Sequence, residues 1–287
     1  MQTMVPLYGF GGVPYSAVRK AAPRNLLDNS DFRNPVNQRG IASGASIAAY
    51  SYFIDRWVNQ TSEARSYGLS ASGITLPLST TLLQKIEKVA EGTVLTFAIK
   101  LSDGTIALLT GTTHYTSDGT WTRFASVTHS FGDMYMETMN GVVNVVVYNT
   151  EVITIVWAAI YEGEYTAETL PDYQPKGYGA ELAECQRYYL HGVGKHCPGL
   201  ILSDGSIKVF VPTPVTMRTT PTATAILLDN AVYNNGADRV IALKSIASIE
   251  LKPTGVYVVF NADLTAGQDM FHTLMTFGTT LHLSADL

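Results

Sequence analysis

The sequence predicts a mainly β protein: an antiparallel β-sandwich, then a short helix, then a smaller C-terminal antiparallel β domain. Three observations point there. Apolar runs of strand length alternate with polar residues and are separated by turn dipeptides such as Asp103-Gly104, Asp118-Gly119 and Asp204-Gly205. Charged residues make up only 15% of the chain while aromatics reach 10%, a composition suited to stacked short strands. Only one stretch, Gln174 to Gly192, carries an apolar stripe at helical period, and β patterning resumes after it.

In chain order, residues 1–24 read as an N-terminal arm. Pro6, Gly9, Gly11, Gly12 and Pro14 deny it a helix, while Leu7, Tyr8, Phe10 and Tyr15 are too apolar for a solvated tail. Such a segment either folds back on its own domain or docks on a neighbour, and docking is the expectation. The first β domain is expected over residues 25–176. Within it Leu95, Phe97, Ile99 and Leu101 alternate to one side, and the Asp103-Gly104 turn leads into Ile106 to Leu109. Leu82 to Val89 has helical propensity, but Thr80-Thr81 and Gly92 bracket a run short enough to be a strand. A strand over Trp121 to Val127 follows the Asp118-Gly119 turn. Val142 to Tyr148 and Val152 to Ile160 are apolar on both faces, which predicts two central strands paired across Asn149 to Glu151.

The connecting helix is expected within residues 177–192, with Leu182, Cys185 and Tyr189 as its buried stripe. Glu181 and Glu184 near its start and Arg187 near its end suit the helix dipole, and Gly192 reads as the stop. The C-terminal domain, residues 193–287, is expected to run through Ile207 to Val211 and Ala223 to Leu228. A turn at Asn234-Asn235-Gly236, a strand over Val240 to Leu251, a Pro253-Thr254-Gly255 turn and Val256 to Phe260 follow, and Thr273 to Leu283 closes it. Pro212, Pro214 and Pro221 make Val215 to Arg218 an edge strand or a short excursion.

Composition narrows the function. At 287 residues the chain can hold two ordinary cores. A formal charge of -5 without a Lys/Arg cluster argues against nucleic-acid binding. The most apolar stretch, Val142 to Ile160, is interrupted by Asn144 and by Asn149 to Glu151, short of the ~20 uninterrupted residues a membrane helix needs. No secretory signal is evident at the N-terminus, which fits a protein made and assembled in a cytoplasm. The two cysteines, Cys185 and Cys197, make no disulfide framework; Cys185 is expected as a buried thiol.

Catalytic signatures are lacking. His114, His129, His191, His196, His272 and His282 show no metal-ligand spacing, and no nucleophile elbow or phosphate loop is present. Asp118, Asp133 and Glu137 are the acids that could meet in space for glycosidic cleavage, and solvated turn residues are their ordinary reading. Trp57, Trp121 and Trp157 sit among apolar neighbours, so core placement is expected. Tyr115, Tyr135 and Tyr148, next to polar turns, are the aromatics placed to stack on a sugar.

Asn25 to Gly40, NLLDNSDFRNPVNQRG, with Tyr52 to Trp57, YFIDRW, resembles the opening of a jelly-roll module of tailed-bacteriophage and prophage tail and fibre proteins. The stretch Glu162 to Tyr189, ending in CQRYY, resembles the end of the same module. Pro214 to Thr222 and the terminal Leu283 to Leu287 are similar to the small β domain often appended there. The resemblance implies a carbohydrate-binding-like jelly roll in a non-enzymatic virion protein, a tail-fibre or tail-tip component contacting host cell-surface glycan. It implies assembly with other virion proteins through the arm, and a homotrimer. Similar jelly rolls often hold a structural calcium, for which Asp28 or Asp31 with Glu162 or Glu164 would supply hard oxygen ligands. Two alternatives stay open: a head or tail decoration protein without receptor role, and a glycan-depolymerising tail enzyme.

Overall fold

The computed structural model describes residues 23–116, 118–193, 196–202, 204–226, 231–234, 238–241, 243–262, 274–276 and 281–286. Leu7, Tyr8, Phe10 and Tyr15 of the expected docking arm lie outside the described residues.

The first half holds β1 (Ser46–Ile47), β2 (Ser51–Ile54), β3 (Trp57–Asn59), β4 (Arg65–Ser66), β5 (Gly68–Ser70), β6 (Gly73–Leu76) and β7 (Thr80–Glu87). It continues through β8 (Val94–Leu101), β9 (Ile106–Thr112), β10 (Thr122–His129), β11 (Gly132–Met139), β12 (Val142–Asn149) and β13 (Ile153–Glu162). A six-stranded sheet, β10-β11-β12-β7-β3-β2, faces a five-stranded sheet, β5-β6-β13-β8-β9. The chain changes sheet between β6 and β7, β7 and β8, β9 and β10, and β12 and β13, the strand exchange of a jelly roll. Between the sheets Phe97, Ile99, Leu82, Ile86, Val145, Val147, Ile155 and Ile160 form one buried core. Leu95, Phe97, Ile99 and Leu101 face it together, as their alternation predicts.

One expected pairing is corrected. Val142 to Tyr148 and Val152 to Ile160 are central strands, but β12 pairs with β11 and β7 while β13 pairs with β6 and β8, in the opposite sheet. Asn149 makes the crossing: its Nδ2 donates to the carbonyls of Pro77 and Glu151, and its Oδ1 accepts from the Thr80 backbone N–H at 3.0 Å. A side chain bonded that way turns the chain out of the ladder, so no hairpin forms. Thr80 to Glu87 is a strand, held between β12 and β3 against its helical propensity.

The outer face of the five-stranded sheet is covered. Ala98, Trp157, Ala159 and Tyr161 lie under Tyr165, Leu170 and Tyr173 from the extended segment that follows β13. The rings of Trp157 and Tyr173 stack with centroids 4.7 Å apart and planes 2° from parallel. Trp57 is fully buried, as expected; Trp121 precedes β10 and is half-buried rather than in the core.

Helix α1 (Tyr178–Gln186) follows, then β14 (Tyr189–Val193), β15 (His196–Ile201), β16 (Ile207–Pro212), β17 (Thr222–Ile226) and β18 (Ala231–Asn234). The chain ends through β19 (Asp238–Ile241), β20 (Leu243–Lys252), β21 (Gly255–Ala262), β22 (Leu274–Thr276) and β23 (Leu281–Ser284). The helix is shorter than expected, because Tyr189 and Leu190 are drawn into a ladder with Ser284 and Leu283 of β23. Its buried side is Glu181 and Cys185, with Tyr188 just beyond it; Leu182 and Tyr189 of the expected stripe are only half-buried. Glu181 is kept inside because its carboxylate accepts from the Asn29 backbone N–H and lies 3.8 Å from the Lys176 ammonium. Gly192, expected as the helix stop, sits within β14 at φ 71°.

Beyond the helix, a three-stranded sheet, β14-β23-β17, packs on a five-stranded sheet, β20-β21-β16-β15-β22, with Leu190, Ile207, Val209, Val256, Val258, Phe260 and Leu283 buried between them. Val215 to Arg218 is an excursion, the Met217 N–H donating to the Pro253 carbonyl at 2.8 Å. Val240 to Leu251 is divided between β19 and β20, and Thr273 to Leu283 between β22 and β23. Among the described residues no sheet joins strands from both sides of the helix.

Candidate functional site

With the five-stranded sheet of the jelly roll covered, the outer face of its six-stranded sheet is the broad surface on which side chains converge. Cross-strand partners share a face, so the register gives its layout directly. One row runs Arg123, Glu137, Asn144, Lys85. The next runs Ser126, Tyr135, Val146, Leu83, Val58, Tyr52. A third runs Thr128, Asp133, Tyr148, Thr81. The middle row is an apolar floor, with Val146 at 0% and Leu83 at 2% exposure, and Tyr135 and Tyr52 pack against it. Polar groups line the floor on both sides.

The tyrosines are held in place. The Arg123 guanidinium lies 3.8 Å from the Tyr135 ring centroid, and Arg39 lies 4.4 Å from that of Tyr52. Burial, reinforced by Glu137 and opposed by Arg123, pushes the Tyr135 phenol above its ordinary range, so it stays a neutral hydrogen-bond donor at pH 7. Asn144 Nδ2 donates to Glu137 Oε1 at 2.9 Å, and Thr128 Oγ1 donates to Asp133 Oδ1 at 2.6 Å. Asn144 Oδ1, in a side chain only 3% exposed, accepts no hydrogen bond from the described residues. A buried acceptor left open is costly.

Of the aromatics expected to meet a sugar, Tyr135 and Tyr148 share this face in neighbouring rows. Tyr115 does not join them: it lies between β9 and β10, its hydroxyl donating to the Val89 carbonyl at 2.8 Å. Tyr52, Arg123 and Asn144 were not foreseen. The one available sign was Asn144 itself, a lone polar residue inside the run Val142 to Val147.

The acids named for catalysis have structural partners. Asp118 Oδ1 accepts from the Thr120 N–H at 3.0 Å, which holds its carboxyl below the ordinary range, while Asp133 and Glu137 are bonded as above. Of the carboxylates named for calcium, Asp28 and Glu162 line one cavity, together with Arg24 and Arg56. Asp28 is bound by Arg56 Nε at 3.3 Å and Lys176 Nζ at 3.0 Å, and Asp31 by Arg33 Nε at 2.8 Å. Two cations already neutralise Asp28, and Glu162 and Glu164 are exposed. Among the described residues no three His, Cys, Asp or Glu side chains gather as metal ligands.

Comparison with protein-family models, curated proteins and solved structures returns no match. The phenol rings packed over buried Val146 and Leu83 suit the C–H face of a pyranose, and flanking carboxylates and hydroxyls suit its hydroxyl groups. Among the described residues no helix is long and apolar enough to cross a membrane.

Proposed function

We propose that this chain is a structural protein of a tailed-phage virion, a tail-fibre or tail-tip component, whose jelly-roll domain binds host-surface glycan across the outer face of its six-stranded sheet. The observation that carries the binding role is the three-row layout: Tyr135, Tyr148 and Tyr52 disposed about Val146 and Leu83, with Arg123, Glu137, Asn144, Thr128 and Asp133 around them. The resemblance of residues 25–40 and 162–189 to phage jelly-roll modules supplies the setting. Binding without turnover is favoured because Asp118, Asp133 and Glu137 are each committed to a neighbour within their own turn or sheet. Assembly as a homotrimer belongs to the same proposal; light scattering on the full chain, with a monomer counting against it, tests that part.

The test of binding is retention of the full chain by bacterial surface polysaccharides in affinity electrophoresis. Tyr135→Ala and Tyr148→Ala each weaken retention by about tenfold, the loss of roughly 1.4 kcal/mol of stacking. Tyr115→Phe leaves it unchanged, and no reducing ends are released. Equal loss in Tyr115→Phe, or release of reducing ends that stops in Asp133→Asn, overturns the reading.

A further inference from the structure

We propose that the C-terminal domain carries a second ligand site, independent of the jelly-roll face, that takes a carboxylated pyranose such as a uronic acid. The site is a notch of about 360 Å³ lined by Gly199, Leu200, Lys208, Phe210 and Tyr257. Leu200 pairs with Lys208 and Phe210 with Tyr257, so these side chains share the outer face of the five-stranded sheet. Their neighbours Val209, Val211 and Val258 point the other way, into the core. Leu200 is 57% exposed, and the half-buried rings of Phe210 and Tyr257 meet at 4.8 Å with a 36° tilt.

Two features turn this face toward a particular chemistry. Phe210 is seated over Gly255, where a Cβ would come within 2.5 Å of its ring, so the ring lies down against the sheet beside Tyr257. Lys208 then places its ammonium 4.8 Å from the Tyr257 centroid. Lys252 holds its own ammonium 5.4 Å from the same centroid and binds Glu250 at 3.0 Å, and Glu250 lies within Coulombic reach of Lys208 without a direct ion pair to it among the described residues. An apolar notch bordered by two ammonium groups that share one carboxylate keeps a net positive charge, and calls for a ligand with one apolar face and one negative group.

The occupant is a single ring rather than a peptide. β16 and β21 are interior strands, paired on both sides, so no backbone edge is open for strand addition. The volume lies at the small end of ligand pockets, about 300–1,000 Å³. A purely apolar partner would strip water from the Lys208 ammonium while adding nothing to the one carboxylate, Glu250, that it shares with Lys252. A pyranose stacks its C–H face on the two rings and offers its carboxylate to Lys208 in a charge-assisted hydrogen bond.

The test titrates the full chain with methyl β-D-glucuronide and with methyl β-D-glucoside, read by saturation-transfer NMR and calorimetry. The glucuronide binds at least about tenfold tighter than the glucoside. Lys208→Gln, a mild surface substitution, removes that preference, and Tyr257→Ala abolishes binding of both. Tyr135→Ala on the jelly-roll face leaves glucuronide binding unchanged, which separates failure of this site from failure of the other. Overturning results are no glucuronide binding at millimolar concentration, equal affinity for the two sugars, or a preference that survives Lys208→Gln. Self-association lost in Lys208→Gln, without sugar binding, would assign the notch to a second copy instead.

Discussion

Arg39 donates from Nη2 to Asp286 Oδ2 at 2.7 Å, joining residues 247 positions apart. The same guanidinium lies 3.9 Å from the Tyr189 ring centroid and 4.4 Å from that of Tyr52. One side chain thus ties the open face of the jelly roll to both β14 and the segment after β23. Gln38 reinforces the tie, its Nε2 donating to the Tyr189 carbonyl at 2.9 Å.

Arg39→Ala should therefore destabilise the protein by about 3 kcal/mol, the low end for breaking a buried ion pair, since it strands Asp55 and Asp286 together. The side chains of Arg39 and Asp286 are 15% and 13% exposed, which is why the low end applies. Arg33→Ala removes a pair in which Arg33 is 44% exposed, and should change stability by less than about 1 kcal/mol. Urea unfolding midpoints of the two variants measure the contrast. If Arg39→Ala costs no more than Arg33→Ala, the tie is not structural.

Cys185 is 0% exposed and Cys197 5%, and neither forms a disulfide. Burial pushes both thiols above their ordinary range, with the Asp55 and Asp28 carboxylates adding to the effect at Cys185. Because the thiolate is the reactive species, a chromogenic thiol reagent should react with neither cysteine in the folded protein and with both in denaturant. Rapid reaction of the native protein, or thiols missing after non-reducing denaturation, would contradict this placement.

Local chemistry made the strands legible and left their partners hidden. Leu82 to Val89 could be read as a strand because Thr80-Thr81 and Gly92 bracket it, and the strand runs Thr80–Glu87. Which strands flank it depends on register with β12 and β3, and one sequence does not carry that. The error at Asn149 is of the same kind: a polar turn between two apolar strands reads as a hairpin, whereas side-chain bonds to Pro77 and Thr80, distant in sequence, send the chain to the other sheet. The helix was visible from its stripe, but its end was set by pairing of Tyr189 with Ser284. The candidate face follows suit: Tyr135 and Tyr148 stand out in the sequence as aromatics next to polar turns, while Tyr52 and Lys85 reach the same face only through the fold.

Asp55 gives a prediction in pH. Its carboxyl is pushed up to about 6 by burial, against the stabilising hydrogen bond from the Gln38 backbone N–H and the nearby Arg39. In the unfolded chain it titrates near ~3.9. Between roughly pH 4 and 6 the folded state therefore holds a proton that the unfolded state has released, so stability from this group falls as pH rises through that window. Above about pH 6 the full cost of a buried charge is present, on the order of 3 kcal/mol at 1.36 kcal/mol per pH unit. Asp55→Asn keeps an oxygen able to accept from Gln38 and cannot titrate. Unfolding of both proteins should be compared at pH 4 and pH 7. The wild type should lose ground to Asp55→Asn on going up in pH, by about 2 kcal/mol, since at pH 4 the unfolded carboxyl is already half ionised. A difference that stays constant, or that favours the wild type at the higher pH, would show that Arg39 holds Asp55 charged well below pH 6.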